Sequence, residues 1–438
     1  MPKFCAVQQN SKVVKKIISV CIGCSFYRQI EETNMIQFSP PHIKEEAIQE
    51  VADTLRSGWI TTGPKTKLFE KRLEEYCGNP KTLCVSSGTF GLEIVLRWFG
   101  VGEGDEVIIP AYTYTATASS VVHTGAKPIM VDIQPNNFLI SIENIRKAIS
   151  PRTKVILPVD LGGIPADYDA INALVREEKI KSLFTAKTEN QKQLGRILVL
   201  SDSAHSLGAK YQGKRAGTFT DITVFSFHAV KNLTTGEGGA IAFNLPHPFD
   251  NQEVYKELNI MSLHGQSKDA LAKTQIGGWQ YDVIEAAYKG NMTDIQASLG
   301  LIALKYYEID NLPRRKAIVN AYQNAFGKYD WAELPEFMNA EKESSYHLYL
   351  LRIRNITEEQ RNLIIQKIFE KEVSVNVHYR PLPMHTAYHN MGYKIEDFPI
   401  AFENYTREIS LPVYQDLSDK EVVTVINAVV NSIKEILI

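Results

Sequence analysis

The sequence predicts an α/β fold in which helices cover a mostly parallel central sheet, and three observations carry that prediction. Short apolar runs alternate with helix-like segments from about residue 43 onward, which is typical of parallel strands joined by crossover helices. No internal repeat or low-complexity tract interrupts this alternation. The chain has 438 residues, of which 44% are hydrophobic, so it can bury a sizeable core and is long enough for two or three domains.

Helices and strands are predicted in turn along the first part of the chain. Apolar residues recur at helical spacing in six segments: 43–58, 67–78, 90–99, 115–124, 142–149 and 167–178. A glycine ends each of the first two. Short apolar runs predict strands at 82–87, 106–111, 127–133, 154–161, 196–200, 222–228 and 239–243. Segment 179–193 is polar and lysine-rich, which predicts a surface excursion.

The pattern changes after the loop-rich segment 263–290. A long helical pattern begins near Met292 and is interrupted at Pro313, because proline breaks the helical ladder. The last part of the chain shows strand-like runs at 346–353 and 373–379 and an amphipathic helix from Ser418 to the end. We therefore predict a large domain over residues 35–300 and a smaller C-terminal α+β domain over residues 301–438.

The first 34 residues are predicted to be a dispensable extension. Their apolar run 17–27 faintly imitates a signal peptide, but it lacks a clean cleavage site and is too short to span a membrane. Met35 opens a segment that is typical of a natural protein start. The protein is therefore expected to be cytoplasmic.

Charge and cysteine content exclude several classes of function. The net charge is −2, with acidic and basic residues interspersed, so no basic stripe points to nucleic acid. Three of the five cysteines precede residue 35, which is no disulfide framework. Cys21 and Cys24 form a C-x-x-C pattern without a second pair or histidine at ligand spacing, so no metal site is predicted.

Three candidate site segments follow predicted strands, where ligands collect in open α/β sheets. The first is SSGTFGLE at 86–93, where a strand meets a Ser-Gly-Thr turn that opens a helix. Free N–H groups and the helix dipole suit such a turn to a phosphate. The alternative is a plain strand-to-helix turn with Ser87 or Thr89 as its N-cap.

The second segment is LVLSDSAHSLGA at 198–209. Asp202 directly follows a buried strand, and His205 comes three residues later. A buried carboxylate must find a cation or hydrogen-bond donors, because leaving it unpaired is costly. Asp202 is therefore either a partner for a protonated ring nitrogen or a structural aspartate that caps the next turn, with His205 satisfied by backbone.

The third segment is FSFHAVKNLTTGEGGA at 225–240, in which Lys231 lies between apolar residues and a glycine-rich loop. Loss of water lowers the pKa of such an amine, although the side chain could instead extend to the surface. A lysine, an aspartate, the Ser226 hydroxyl and a phosphate-binding turn together are what pyridoxal phosphate requires. No dinucleotide or P-loop motif competes with that interpretation.

The chain also resembles a known family. Five segments resemble the signature blocks of the DegT/DnrJ/StrS sugar aminotransferases and follow one another along the chain in the family's order: SSGTFGLEI, PAYTYTATASSV, SDSAHSLGA, FSFHAVKNLTTGEGGA and NMTDIQASLGL. The resemblance covers nearly everything from about residue 35. It implies the aspartate-aminotransferase type fold, which is fold type I of the pyridoxal-phosphate-dependent transferases.

The resemblance assigns roles to individual residues. It implies that Lys231 forms the Schiff base with the cofactor and later moves the proton, and that Asp202 pairs with the pyridinium nitrogen. His205 stands where the family often has glutamine, near the ring oxygen, and Tyr114 stands where an aromatic side chain stacks on the ring. The alternative for Tyr114 is a core tyrosine. The residues implied to hold the phosphate are Gly88, Thr89 and Ser226.

The segment AAYKGNMTDIQ resembles one through which a neighbouring subunit reaches the phosphate, which implies a homodimer and a cofactor role for Asn291. Ala287 and Gly290 depart from the family pattern there, so the roles of Lys289 and Asn291 stay open. Segments 57–64 and 375–385 resemble parts that line the nucleotide-sugar pocket. His378 in the second of these is equally a candidate for an edge-strand histidine.

The predicted function is transfer of an amino group from an amino acid, by resemblance L-glutamate, to a nucleotide-linked keto-sugar. This places the enzyme in cell-surface polysaccharide, glycan or related amino-sugar biosynthesis. Two alternatives stay open. A sugar dehydratase of the same fold would carry histidine in place of Lys231, and a non-catalytic relative would bind a sugar nucleotide without turnover.

Overall fold

Seven strands form the central sheet of the computed structural model, which describes residues 35–268 and 279–437. In this described part the strands are β1 (Lys81–Val85), β2 (Glu106–Pro110), β3 (Lys127–Val131), β4 (Thr153–Ile156), β5 (Leu198–Asp202), β6 (Lys210–Tyr211), β7 (Lys214–Arg215), β8 (Ile222–Ser226), β9 (Gly239–Phe243), β10 (Ala332–Glu333), β11 (Lys342–Glu343), β12 (Tyr349–Ile353) and β13 (Glu408–Leu411).

The central sheet has the order β1-β9-β8-β5-β4-β2-β3. Neighbouring strands from β8 to β3 pair in parallel, whereas β9 runs antiparallel to both β8 and β1. All strands of this sheet except β9 therefore point the same way. The prediction of an α/β fold with a mostly parallel sheet is confirmed.

Helices cover both faces of this sheet. The helices of the described residues, including those of the C-terminal part, are α1 (Glu45–Ser57), α2 (Pro64–Cys77), α3 (Gly88–Trp98), α4 (Thr115–His123), α5 (Ile142–Ala148), α6 (Tyr168–Arg176), α7 (Glu178–Lys181), α8 (Glu189–Leu194), α9 (Asn251–Met261), α10 (Asp294–Lys305), α11 (Leu312–Phe326), α12 (Glu358–Phe369), α13 (Thr386–Asn390), α14 (Pro399–Arg407) and α15 (Asp419–Leu437). Successive side chains of a strand point to opposite faces. Accordingly Val107 and Ile109 of β2 join one buried cluster, and Ile108 joins another.

Two predicted segments can be compared with the structure in detail. Segment 179–193, predicted to be a surface excursion, is largely surface-exposed and overlaps two short helices, α7 and α8. Thr188 caps α8 by accepting a hydrogen bond from the Gln191 N–H, and Gly195 ends it in the left-handed conformation. The predicted strand at 373–379 is wrong, since only an isolated bridge joins Asn376 to Ser410.

The long helical pattern after Met292 forms two helices. Thr293 and Gln296 build a capping box that starts α10, and the turn Tyr307–Asn311 separates it from α11. Pro313 lies in the first turn of α11, where its missing N–H costs nothing, so the break comes before the proline. The predicted domain boundary near residue 300 falls within α10 and stays a prediction.

Two smaller sheets complete the described part, with strand orders β10-β12-β13 and β11-β6-β7. The predicted C-terminal amphipathic helix is observed as α15. Among the described residues, no helix combines the length and the apolar character that crossing a membrane requires. Residues 1–34, including Cys21 and Cys24, lie outside the described residues.

Candidate active site

A cavity of about 420 Å³ lies at the carboxyl ends of β5 and β8. Because these neighbouring strands are parallel, their last residues, Asp202 and Ser226, lie at the same edge of the sheet. Every predicted site residue except Asn291 lines this cavity: Gly88, Thr89, Tyr114, Asp202, His205, Ser226 and Lys231. Three segments far apart in sequence therefore form one site.

Lys231 lies in the loop between β8 and β9. The Phe227 and Gly238 backbones pair across that loop, and the Lys231 N–H donates to the His228 carbonyl at 2.9 Å. The amine makes no hydrogen bond or ion pair with any residue that the structure describes. Burial lowers the pKa of Lys231 to about 8, and the Asp202 carboxylate partly opposes that shift. Such an amine is partly uncharged near neutral pH, as a proton acceptor must be.

Asn232 fixes the backbone next to Lys231. Its side-chain N–H donates to the Ser345 carbonyl at 2.8 Å, and its oxygen lies 2.8 Å from Nδ1 of His347. Its own carbonyl accepts from the Asn311 side chain at 3.0 Å. The lysine loop is thus tied to two segments of the C-terminal third of the chain.

Asp202 is buried at the end of β5 and has few protein partners. One carboxylate oxygen accepts from the Thr117 hydroxyl at 2.8 Å, and the other accepts from the Ala204 N–H at 3.2 Å. Burial raises the pKa of Asp202, while these two donors and Lys231 act to lower it. A carboxylate in this position gains stability from a nearby cation, such as a protonated ring nitrogen.

The start of α3 forms the opposite wall of the cavity. Ser87 caps this helix by accepting from the Phe90 N–H at 3.1 Å, whereas the Gly88 and Thr89 amides have no acceptor among the described residues. The turn packs closely on the hairpin, since a Cβ on Gly239 would lie 2.6 Å from the Gly88 nitrogen. Free amides at a helix N-terminus provide a binding site for a phosphate.

His205 is a neutral donor in this site. Its Nδ1 accepts from the Gly162 N–H at 3.2 Å, so the ring proton resides on Nε2. Nε2 lies 3.1 Å from the Tyr379 hydroxyl, to which it donates. Burial lowers the pKa of His205 well below its usual range, and Lys231 adds to that effect. The Tyr379 proton is consequently left free to donate to another group.

Tyr114 and Asn291 occupy contrasting positions. The Tyr114 side chain is 58% exposed at the rim of the cavity, with its ring centroid 5.6 Å from that of Tyr379. It is not a core tyrosine. Asn291 instead donates to the Thr62 hydroxyl and does not line the cavity of its own chain. Burial lowers the pKa of Lys289, and the roles of both residues stay predictions.

Two functional candidates are absent from the residues that the sequence predicts. Thr117, which holds Asp202, lies in the segment PAYTYTATASSV, three residues after Tyr114 and almost one helical turn away. Its spacing was therefore a usable signal. Tyr379 contacts His205 across 174 residues of sequence, and no local pattern announces that pairing.

These residues fit pyridoxal phosphate. The cavity combines a half-buried amine without a protein partner, a buried carboxylate with unused acceptor capacity and a helix N-terminus with free amides. They match the aldehyde, the ring nitrogen and the phosphate of that cofactor, respectively. Within the described part, no group of histidine, cysteine or acidic side chains is arranged to hold a metal ion.

Known proteins share this architecture. One is Spr1654 from Streptococcus pneumoniae, which is assigned to the sugar aminotransferases and is solved in its PMP-form. Its sequence is 49% identical, the match covers 92% of this chain and 100% of the Spr1654 chain, and the TM-score is 0.88. The same protein is also solved in a PLP-form. PseC from Helicobacter pylori, an aminotransferase of pseudoaminic acid biosynthesis, is 26% identical with a TM-score of 0.81, covering 92% of this chain and all of its own.

A curated relative extends the comparison. The spore coat polysaccharide biosynthesis protein SpsC of Bacillus subtilis is 36% identical over 408 residues, which are 92% of this chain and 98% of SpsC. The model of the DegT/DnrJ/EryC1/StrS aminotransferase family matches residues 41–430. The chain therefore belongs to the DegT/DnrJ/EryC1/StrS family and is a pyridoxal-phosphate-dependent aminotransferase.

Proposed function

We propose that this enzyme transfers an amino group from L-glutamate to a nucleotide-linked keto-sugar, in the biosynthesis of a polysaccharide, glycan or other amino-sugar product. The observation that carries the proposal is the Lys231 amine, which faces a cavity of about 420 Å³ with a pKa of about 8. The sugar substrate is supported by the relatives, since SpsC takes part in polysaccharide biosynthesis and PseC in pseudoaminic acid biosynthesis.

Each cavity residue has a distinct task in this proposal. Pyridoxal phosphate, when bound, supplies an electron sink and carries the nitrogen between donor and acceptor. Asp202 pairs with the protonated ring nitrogen, and the free amides of Gly88 and Thr89 bind the phosphate together with the Ser226 hydroxyl. The Lys231 amine would hold the cofactor, and during the transfer it would accept a proton at Nζ and release it again.

The two aromatic residues at the cavity rim orient the reactants. Tyr114 covers the open face of the cofactor ring. Tyr379 donates the hydroxyl proton that His205 leaves free, and the oxygen of the cofactor ring is a suitable acceptor for it. Because His205 is neutral, it places no second charge beside Lys231, and burial is what lowers the pKa of that lysine.

We further propose that the enzyme acts as a homodimer. Large apolar side chains are exposed in the segment that follows the undescribed residues 269–278, including Trp279 at 75% and Ile284 at 62%. Exposed apolar patches of this kind mark protein interfaces, and symmetric dimers are the commonest assembly. The same segment leads to Lys289 and Asn291, which this arrangement would bring to the cofactor phosphate of the second subunit.

The first test uses the purified chain loaded with pyridoxal phosphate. We expect a yellow absorbance band that fades when L-glutamate is added, and that returns when a UDP-linked or dTDP-linked 4-keto-6-deoxyhexose is supplied. Lys231→Ala is expected to fold normally and to lose turnover by about 10³-fold or more, because proton transfer and covalent catalysis both depend on its amine.

The matched control is Lys256→Ala, which removes an exposed lysine that pairs with Glu253 on α9. It should retain the band and full turnover. Turnover retained in Lys231→Ala would exclude the assigned role of that lysine. Absence of any band after soaking with pyridoxal phosphate would favour a non-catalytic sugar-nucleotide-binding protein. Because 2-oxoglutarate reverses the reaction with L-glutamate, it should restore the band in any case; a band that returns with 2-oxoacids but with neither keto-sugar would exclude the sugar substrate.

A further inference from the structure

A buried hydrogen-bonded chain leads from the second sheet to the cavity. His378 lines the cavity, and its Nδ1 lies 2.9 Å from the Ser410 hydroxyl oxygen. That oxygen lies 2.5 Å from one carboxyl oxygen of Glu408, whose other oxygen accepts from the His378 backbone N–H at 3.0 Å. Glu408 and Ser410 alternate along β13 and so point to the same face; both are fully buried.

The backbone fixes the geometry of this chain. Asn376 and Ser410 exchange two backbone hydrogen bonds, at 3.1 and 2.8 Å, which hold the segment before His378 against β13. The His378 ring stacks on Phe38 with centroids 5.3 Å apart and meets the Tyr379 ring edge-on. The imidazole therefore has a defined orientation before any substrate binds.

The Ser410 hydroxyl couples the state of Glu408 to that of His378. A hydroxyl carries one proton, so between two partners it donates to one and accepts from the other. If the Glu408 carboxyl is protonated, it donates to Ser410, Ser410 donates to Nδ1 of His378, and the ring proton lies on Nε2. If the carboxyl is ionised, Ser410 donates to it and Nδ1 must carry the ring proton instead.

His378 is neutral, so its tautomer decides what it offers to a ligand. Burial lowers the pKa of His378 to about 3, and Lys231 contributes to the shift. Nε2 has no hydrogen-bond partner among the residues that the structure describes. With a proton, Nε2 is a donor toward the cavity, and without one it is an acceptor.

The surroundings of Glu408 favour its protonated form at neutral pH. Burial raises the pKa of Glu408 to about 8, opposed by Ser410, Arg361 and the His378 N–H. Arg361 of α12 donates to the carbonyls of Tyr405 and Glu408, and its positive charge acts on the Glu408 carboxyl without a direct ion pair. Other titratable or charged groups that act on the chain from packed elements are Arg352 of β12, Tyr112 after β2, His205, His347, Tyr379 and Lys231.

We propose that Glu408, acting through Ser410, holds His378 in the tautomer with its proton on Nε2, so that His378 donates a hydrogen bond to an oxygen of the sugar-nucleotide substrate. Glu408 and Ser410 are positioning residues, and their role rests on the proposed function. Phosphate oxygens of a sugar nucleotide are suitable acceptors for such a donor. When Glu408 ionises, the protons shift along the chain and Nε2 becomes an acceptor, which a phosphate oxygen without a proton cannot satisfy.

The kinetic test compares pH profiles, using whichever keto-sugar probe the wild-type holoenzyme turns over. The wild-type KM for the keto-sugar should rise as pH increases through about 8, the value for Glu408, whereas the KM for L-glutamate should not follow that rise. Glu408→Gln should keep the wild-type KM at pH 7, because its amide donates to Ser410 as the protonated carboxyl does. It should lose the alkaline rise, since an amide does not ionise.

Ser410→Ala interrupts the chain and should hold the keto-sugar KM at about ten times the neutral-pH wild-type value across the pH range, with little change in kcat, as expected for the loss of a hydrogen bond to a charged or polar ligand group. Ser432→Ala is the matched control. It removes another fully buried serine hydroxyl, one without a hydrogen-bond partner in the described part of the chain, and it should leave both KM values unchanged.

The tautomer can be measured without substrate, by ¹⁵N NMR of the holoenzyme with labelled histidine. The His378 signals are identified by their loss in His378→Gln. We expect a protonated Nε2 below pH 8 that gives way to a protonated Nδ1 above it in the wild type, and no change with pH in Glu408→Gln. The proposal would be overturned if the tautomer of His378 in the wild type did not change with pH. It would also be overturned if Glu408→Gln had the same raised KM for the keto-sugar at pH 7 as Ser410→Ala. If neither keto-sugar is turned over, the proposed function fails while the NMR result still decides the coupling.

Discussion

Two buried aspartates near the carboxyl edge of the central sheet differ in how completely the protein satisfies them. Asp160 follows β4 and accepts four hydrogen bonds, from the Ala166 N–H and from the hydroxyls of Tyr168, Ser203 and Ser206. Asp202 ends β5, the neighbouring strand, and accepts only two. Asp202 lines the cavity, and Asp160 does not.

This difference separates a structural carboxylate from a functional one. Burial raises the pKa of both aspartates, so a shifted pKa alone does not distinguish them. The carboxylate of Asp160 accepts two hydrogen bonds from the segment that follows β4 and two from the segment that follows β5, so it joins these two segments at the sheet edge. The Asp202 carboxylate retains acceptor positions that no described residue fills, so a ligand in the cavity can use them. Unused hydrogen-bonding capacity facing a cavity is therefore the better indicator of a site.

The largest expected effect comes from Asp202→Asn. The variant should lower kcat by about 10²- to 10³-fold, because it removes the negative charge opposite the protonated ring nitrogen. Its melting temperature without cofactor should not fall, since the carboxylate has few protein partners to lose. Steady-state kinetics and thermal unfolding would measure the two effects, and a large loss of stability would make the two aspartates equivalent.

Asp160→Asn should show the opposite pattern. The amide cannot accept all four hydrogen bonds, so we expect the free energy of unfolding to fall by about 3 kcal/mol. The kcat of the folded fraction should stay within about threefold of wild type, since Asp160 touches no reactant. Urea unfolding followed by kinetics with saturating cofactor would check this, and a loss of kcat without a loss of stability would contradict the distinction.

A matched pair of single donors gives the smallest expected effects. Thr117→Val removes one hydrogen bond to Asp202, and Tyr168→Phe removes one hydrogen bond to Asp160. Each should cost about 1 kcal/mol. The first cost should appear as about fivefold weaker cofactor binding, and the second as lower stability. Cofactor titration and urea unfolding on both variants would show whether the two costs separate in this way.

Local patterns in the sequence were sufficient to predict most of the sheet and the residues that line the cavity. Asp202 and Ser226 each end a short apolar run, and parallel order places strand ends at one edge, so their proximity follows from topology. The strand at 239–243 agrees with the observed β9 residue for residue. The resemblance to a family supplied the individual roles, which the residues alone left open.

Contacts between distant segments could not be predicted in the same way. The run 373–379 has strand-like composition, yet it meets β13 at only one bridge, and its last two residues, His378 and Tyr379, line the cavity. The coupling of His378 to Glu408 spans 30 residues and depends on the register of β13. Neither the alternation of apolar residues nor any motif specifies such pairings.

The ties between Asn232 and the C-terminal third of the chain have a consequence for how the enzyme matures. The groups that hold the loop beside Lys231 belong to Asn311, Ser345 and His347. These residues follow Asn232 in the sequence by 79, 113 and 115 positions, respectively. They are therefore synthesised well after the loop that they hold. Chains fold from the N-terminus during synthesis. The central sheet can therefore assemble early, while capture of pyridoxal phosphate awaits the synthesis of residues up to His347, so products truncated before that point should accumulate without cofactor.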